Sequence, residues 1–157
     1  MDSSVAAVAH DPVALTAALH ASAPLIGTLN IEVIEVSDPI RVRIPNDVGS
    51  RNHMSGPHAG AIFTLGETTA ACLILTQLGD LLDQAVALAV SAEIQWTKLA
   101  QCAVIAEASL PVDADVIRQE FLSGGRPEWT TEVNFTREDD GAPCARMSVV
   151  LTLVRPR

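Results

Sequence analysis

Residues 52–78 read NHMSGPHAGAIFTLGETTAACLILTQL, and this stretch decides the fold. From Pro57 or His58 to about Gly79 the side chains are apolar on nearly every helical face, enough for a helix of roughly 30 Å at ~1.5 Å per residue. A helix of that kind is expected to be buried all round, wrapped by a sheet instead of laid on a surface. Glu67, in its middle, stands against the pattern. An ionised carboxylate buried without partners costs on the order of several kcal/mol, so Glu67 should be paired, protonated or used in chemistry.

Working outward, the N-terminal flank switches to a period of two. Leu29, Ile31 and Val33 alternate with Asn30 and Glu32, Ser37-Asp38-Pro39 makes a turn, and Ile40, Val42 and Ile44 alternate with Arg41 and Arg43, which predicts a hairpin of half-buried strands. Ahead of it, Asp11-Pro12 reads as an N-cap followed by proline at the first helical position. Val13, Ala14, Ala17, Ala18 and Ala21 continue that helix until Pro24 and Gly27 stop it. Residues 1–24 are thus expected to form a lead-in and short helix, and residues 25–157 a single domain.

The C-terminal flank predicts four more strands. They run over Gln84 to Trp96, over Cys102 to Leu110 after a turn at Lys98 to Gln101, over Trp129, Thr131, Val133 and Phe135, and over Ala145 to Leu153. A short helix capped by Asp113 runs to Leu122 and ends at Ser123-Gly124-Gly125, and Glu138-Asp139-Asp140-Gly141 turns the last pair of strands. The sum is an α+β domain whose six-stranded antiparallel sheet wraps round one long central helix. A single helix cannot cover both faces of such a sheet, so a homo-oligomer is expected.

Composition narrows the function classes. The net charge is −9 with 10 Lys and Arg against 19 Asp and Glu, which argues against a nucleic-acid partner, since phosphate binding needs a basic face. An acidic ligand must find a local basic spot among Arg41, Arg43, Lys98, Arg118, Arg126 and Arg137. Cys72, Cys102 and Cys144 are widely spaced in apolar segments, which suits buried reduced thiols and a cytoplasmic location. No Lys or Arg precedes Arg41, so a basic secretory n-region is missing, and Gly66, Glu67 and the threonines are expected to make the long helix too polar for a membrane span. His53 and His58 are five apart and form no zinc motif; no phosphate loop, serine elbow or paired-cysteine motif is found, so neither metal nor cofactor is expected.

The stretch from Asn52 to Glu67 resembles the hotdog-fold acyl-CoA thioesterases, particularly the phenylacetate-pathway (PaaI-like) type. That family's pattern is Asn, then six residues later His-Gly-Gly at the start of the central helix, then an acid nine residues after the His; here it reads Asn52, His58-Ala59-Gly60 and Glu67. Ala59 departs from the first Gly of the pair. The order of elements follows the family over about residues 25 to 154, and the polar residue that the family places on the strand after the helix falls at Ser91.

The resemblance implies hydrolysis of acyl-CoA to free acid and CoA without metal or cofactor, in a cytoplasmic homodimer or homotetramer (a dimer of dimers) whose acid and glycine amide come from different subunits. It implies Glu67 as general base or as a nucleophile forming an anhydride, Asn52 orienting water or carboxylate, His58 positioning the thioester and Ser91 holding water, with Ala59 and Thr68 as further substrate contacts and the CoA phosphates met at the subunit edge by Lys98, Arg126 or Arg137.

The residues also support part of this by themselves. Gly60 lies in the first helical turn, where amides have no intrahelical partner and the helix dipole is positive, which makes an oxyanion site. Glu67 follows seven residues later on the same face, about 10 Å along the axis. Asn52 and His58 can equally be a turn residue and a helix-terminus residue satisfied by backbone, and Gly66 is read as permitting close packing. Phe63, Trp96 and Trp129 are candidates for shaping an acyl pocket. Two other functions remain open: a hydratase or dehydratase of the same fold, and a non-catalytic acyl-CoA-binding module.

Overall fold

A computed structural model describes residues 8–156. The first helix, α1 (Pro12–Ser22), starts where Asp11 accepts the amides of Val13 and Ala14 and Pro12 sets the first turn. Its buried residues are Leu15 and Leu19, one turn apart. This helix ends at Ser22, before Pro24, as expected, with Ala23 extended. Pro24 then opens a second short helix, α2 (Pro24–Thr28), that runs through Gly27, because proline is accommodated at a first helical position. Most of the lead-in expected over residues 1–10 lies outside the described residues; of its end, Ala9 is buried in the core.

Strands β1 (Glu32–Glu35) and β2 (Ile40–Ile44) form the expected hairpin, and a single 3-10 turn (Val48–Ser50) carries the chain to the long helix α3 (Ala59–Gln77). Then follow β3 (Val86–Trp96), β4 (Val104–Ala108), helix α4 (Ala114–Leu122) capped by Asp113, β5 (Glu128–Arg137) and β6 (Pro143–Val154). All pairings are antiparallel, and the sheet order is β1-β2-β4-β5-β6-β3. The loop after β3 therefore does not make a hairpin: β3 lies on one edge beside β6, while β4 sits between β2 and β5.

The α+β expectation holds: one six-stranded sheet curls round α3. Alternation on β5 places Trp129, Thr131, Val133 and Phe135 inward and Glu128, Thr130, Glu132 and Asn134 outward, so the outer face stays uncovered in a single chain. Trp129 thus packs in the core and is not available to shape an open pocket. The sheet grips the helix tightly at Gly66, where an added Cβ would meet Phe135 Cζ at 2.7 Å and Met147 Sδ at 2.5 Å.

Two expectations about α3 need correction. The helix is not buried all round: Ala59, Gly60 and Glu67 are exposed and Phe63, Thr64 and Ala71 half-buried, a single stripe at helical spacing that the sheet does not reach. Nor does its polarity exclude a membrane span. At 19 residues and a mean hydropathy of 1.4 it is long and apolar enough, but two thirds of it is packed inside the domain. Cys72 and Cys144 are buried as expected and burial pushes both thiols up, Cys72 to about 12, whereas Cys102 is half-exposed.

Candidate active site

The N-terminus of α3 is built by the loop that precedes it. Asn52 Oδ1 accepts the amides of Met54 (2.8 Å) and Gly56 (3.3 Å), its Nδ2 donates to the Pro57 carbonyl, and its own amide donates to Gly56. The Asn52 side chain is therefore largely occupied in shaping this turn. Gly56 presses against the Ala100 carbonyl so closely that any side chain would collide with backbone there. Asn46 ties the same two loops together, donating to the carbonyls of Ser55 and Gln101. A lone glycine before proline and an asparagine in a turn are ordinary loop composition, so nothing in the sequence distinguishes Gly56 and Asn46 as fasteners.

His58 caps α3. Its Nδ1 accepts the Gly60 amide at 3.0 Å, and its carbonyl accepts the amides of Ala61 and Ile62. The Gly60 N–H that the sequence marks as an oxyanion donor is thus held by an imidazole. A Cβ at Gly60 would meet nothing but that ring, at 3.3 Å.

The candidate residues fall into three concavities. Asn52, Ala59 and Lys98 border one of about 350 Å³, together with Trp96 and Leu99; His58 and Gly60 border another of about 390 Å³, with Thr64 and Arg51. Glu67 lies at a third, smaller and apolar, between α3 and β3. Glu67 is exposed, contrary to the expectation of a buried carboxylate, because it occupies the outward stripe two turns beyond Gly60. Thr68, its neighbour, is buried on the sheet-facing side. Ser91 is exposed on β3, immediately after a break in the register with β6 between Ala89 and Ser91. A single chain thus brings Asn52, Ala59 and Lys98 together, and separately His58 and Gly60, but it joins neither group to Glu67.

The basic residues sort clearly. Arg41, Arg43, Arg118 and Arg137 form ion pairs, with Glu35 and Glu107, with Glu32 and Glu138, with Asp80 and Asp115, and with Asp139 and Asp140 respectively. The hydrogen bond from Arg43 holds the Glu138 carboxyl below its ordinary range, and that from Arg118 does the same for Asp80. Arg51, Arg126, Arg146 and Arg155 donate to Asn46, Thr152, Gln95 and the Phe121 carbonyl. Among the described Lys and Arg side chains, Lys98 alone forms no hydrogen bond or ion pair.

The architecture is that of the hotdog fold, a long helix wrapped by a single antiparallel sheet, as solved structures with the same arrangement show. A Pseudomonas aeruginosa protein of unknown function, described as a probable thioesterase, superposes with a TM-score of 0.77 at 25% identity over 92% of this chain and 97% of that one. A Haemophilus influenzae thioesterase gives 0.71 at 16% identity, covering 92% and 90%. The PaaI protein of the E. coli phenylacetic acid degradation operon gives 0.67 at 13% identity, covering 96% of each chain. No curated protein sequence matches. The chain belongs to the family described as Domain of unknown function (DUF4442), whose model matches residues 12–153.

Proposed function

We propose that this chain hydrolyses acyl-CoA thioesters to free acid and CoA, at a site completed by a second copy of itself. The observation that carries the reading is the outward stripe of α3, which presents Gly60 and Glu67 on one uncovered face yet leaves them in separate concavities. The thioesterase descriptions of several structural neighbours support the reaction class.

Edge strand β3 is the proposed seat of the second copy. Strand β3 is an 11-residue edge with Leu88, Val90 and Trp96 45%, 48% and 50% exposed. A long apolar edge strand left unpaired is a template for another strand, and pairing it with its own copy would give a closed, two-fold assembly. It would also bring an uncovered helix stripe from each subunit towards the same interface.

In this reading Glu67 takes a proton from water, the resulting hydroxide adds to the thioester carbonyl, and the C–S bond breaks with CoA leaving as thiolate and then taking up the proton. Direct attack by Glu67 to form an anhydride, followed by hydrolysis, gives the same products. The oxyanion is received by the Gly60 amide of the other subunit, which must exchange His58 Nδ1 for the thioester oxygen. Ala59 borders the path of the substrate, Ser91 holds the attacking water and Asn52 holds the loop. Thr68 would reach it only by leaving the core. Lys98, unpaired among the described residues, is the proposed contact for CoA phosphate. The free thiols of Cys72, Cys102 and Cys144 support a cytoplasmic location.

Replacing Glu67 with Gln is expected to lower thiol release from acyl-CoA by roughly a hundredfold or more while leaving the sedimenting species unchanged. Wild-type turnover in that variant would sink the mechanism. The occupied Gly60 amide favours one other reading, a non-catalytic acyl-CoA-binding module; saturable binding without thiol release over hours would establish it.

A further inference from the structure

We propose that the acyl group of the substrate is short and aliphatic, about four carbons, and lodges in the crevice between α3 and β3 that Glu67 borders. This rests on the hydrolase reading for the position of the thioester carbonyl, but the size limit comes from the crevice itself. Its volume is about 110 Å³, and apart from Glu67 its lining is wholly apolar, formed chiefly by Ile74, Leu75, Leu82, Leu88 and Leu151. Glu67 is its single charged residue, so a carbonyl held at that carboxylate has an apolar receptacle on its acyl side and nowhere else at that point.

Depth sets the limit. Ile74, Leu75, Leu82 and Leu151 belong to the hydrophobic core of the domain, so the floor cannot recede without displacing packed side chains. A cavity of ~150 Å³ lined by Leu, Ile and Phe takes up benzene, six carbons, by which measure this one takes roughly four. A benzoyl or phenylacetyl group exceeds it, and a long fatty chain would have to leave it for solvent.

The expected reading is a profile of kcat/KM against chain length, measured by thiol release from saturated acyl-CoAs of even length and from benzoyl-CoA. Each methylene that enters the crevice raises kcat/KM about fourfold, so butanoyl-CoA should exceed acetyl-CoA by roughly fifteenfold, with no further gain beyond. Ala71 also lines the crevice, one turn beyond Glu67, and is half-buried, so Ala71→Leu fills the space from the open side without touching the core. It is expected to lose most of the butanoyl preference, the ratio of kcat/KM for butanoyl-CoA to that for acetyl-CoA falling from roughly fifteen towards one; Leu82→Ala should move the optimum towards longer chains.

Calorimetric binding of alkyl-CoA thioethers, which cannot be hydrolysed, separates the two claims. Tightest binding near four carbons that Ala71→Leu abolishes, without turnover of any thioester, would uphold the crevice and defeat the hydrolase reading. An optimum at ten carbons or more, a preference for benzoyl-CoA, or a length profile that Ala71→Leu leaves unchanged would overturn the crevice assignment with hydrolysis intact. Absence of both binding and turnover at every length would overturn both.

Discussion

Gly66→Ala sets two opposed effects against each other at one atom. Alanine is favoured over glycine in a helix interior by up to ~1 kcal/mol, so on an open surface the change would stabilise α3. At Gly66 the new methyl would lie 2.5 Å from Met147 Sδ and 2.7 Å from Phe135 Cζ, both in fully buried side chains. The Met147 thioether is the flexible end of an unbranched chain and can give way, but the Phe135 ring is held on the inner face of β5. Overpacking a filled core costs about 1–3 kcal/mol, which against the propensity gain leaves a net loss of up to about 2 kcal/mol. For a chain of this length that corresponds to a fall in Tm of up to roughly 8 °C. Thermal unfolding followed by far-UV circular dichroism, with urea titration to check that the m-value is unchanged, measures it. The control is Gly60→Ala, where the methyl meets only His58 Nδ1 at 3.3 Å: its Tm should stay within about 2 °C of wild type while thiol release falls. A Gly66→Ala protein that melts above wild type would mean that helix propensity prevails, and would refute the close helix–sheet approach on which the position of Glu67 depends.

Three further outcomes follow from the described geometry. Burial pushes the Cys72 thiol from its ordinary 9.0 up to about 12, so the folded state retains a proton that the unfolded chain loses. That stability is complete below pH 9 and is lost as pH rises towards 12, at up to ~1.4 kcal/mol per pH unit, a slope that Cys72→Ala should remove from urea unfolding curves. Asp11→Ala deprives α1 of the acceptor for two first-turn amides and should cost about 1 kcal/mol, seen as a Tm lower by roughly 2–4 °C. Val90→Asp places a carboxylate on the exposed edge strand, near its own copy in the proposed assembly, and should weaken self-association by roughly a hundredfold in sedimentation; a wild-type protein that already sediments as a monomer would contradict the assembly.

Elements whose sequence alternates between two environments were readable because the structure has the same two environments. Ile40, Val42 and Ile44 on β2, the four inward residues of β5, and the caps Asp11 and Asp113 each carry a local signal that tertiary context did not override. The order of strands was not readable past the first hairpin, since the loop after β3 is short enough for a turn and nothing in it specifies that β4 should join β2. The candidate site was readable as a set of residues and not as a place: Asn52, His58, Gly60 and Glu67 keep their spacing along the chain, yet they face separate concavities. The misjudged burial of Glu67 has the same origin. An apolar residue has the same composition whether a sheet or a second protein molecule covers it, so Phe63 and Ala71 on the open stripe and Ile62, Leu65 and Leu73 in the core made α3 read as buried on every side. That composition is at odds with an isolated chain, where the stripe meets water, and consistent with the proposed assembly, where only the site between the copies would need a charge. A carboxylate belongs on that stripe for the same reason that the residues around it are apolar.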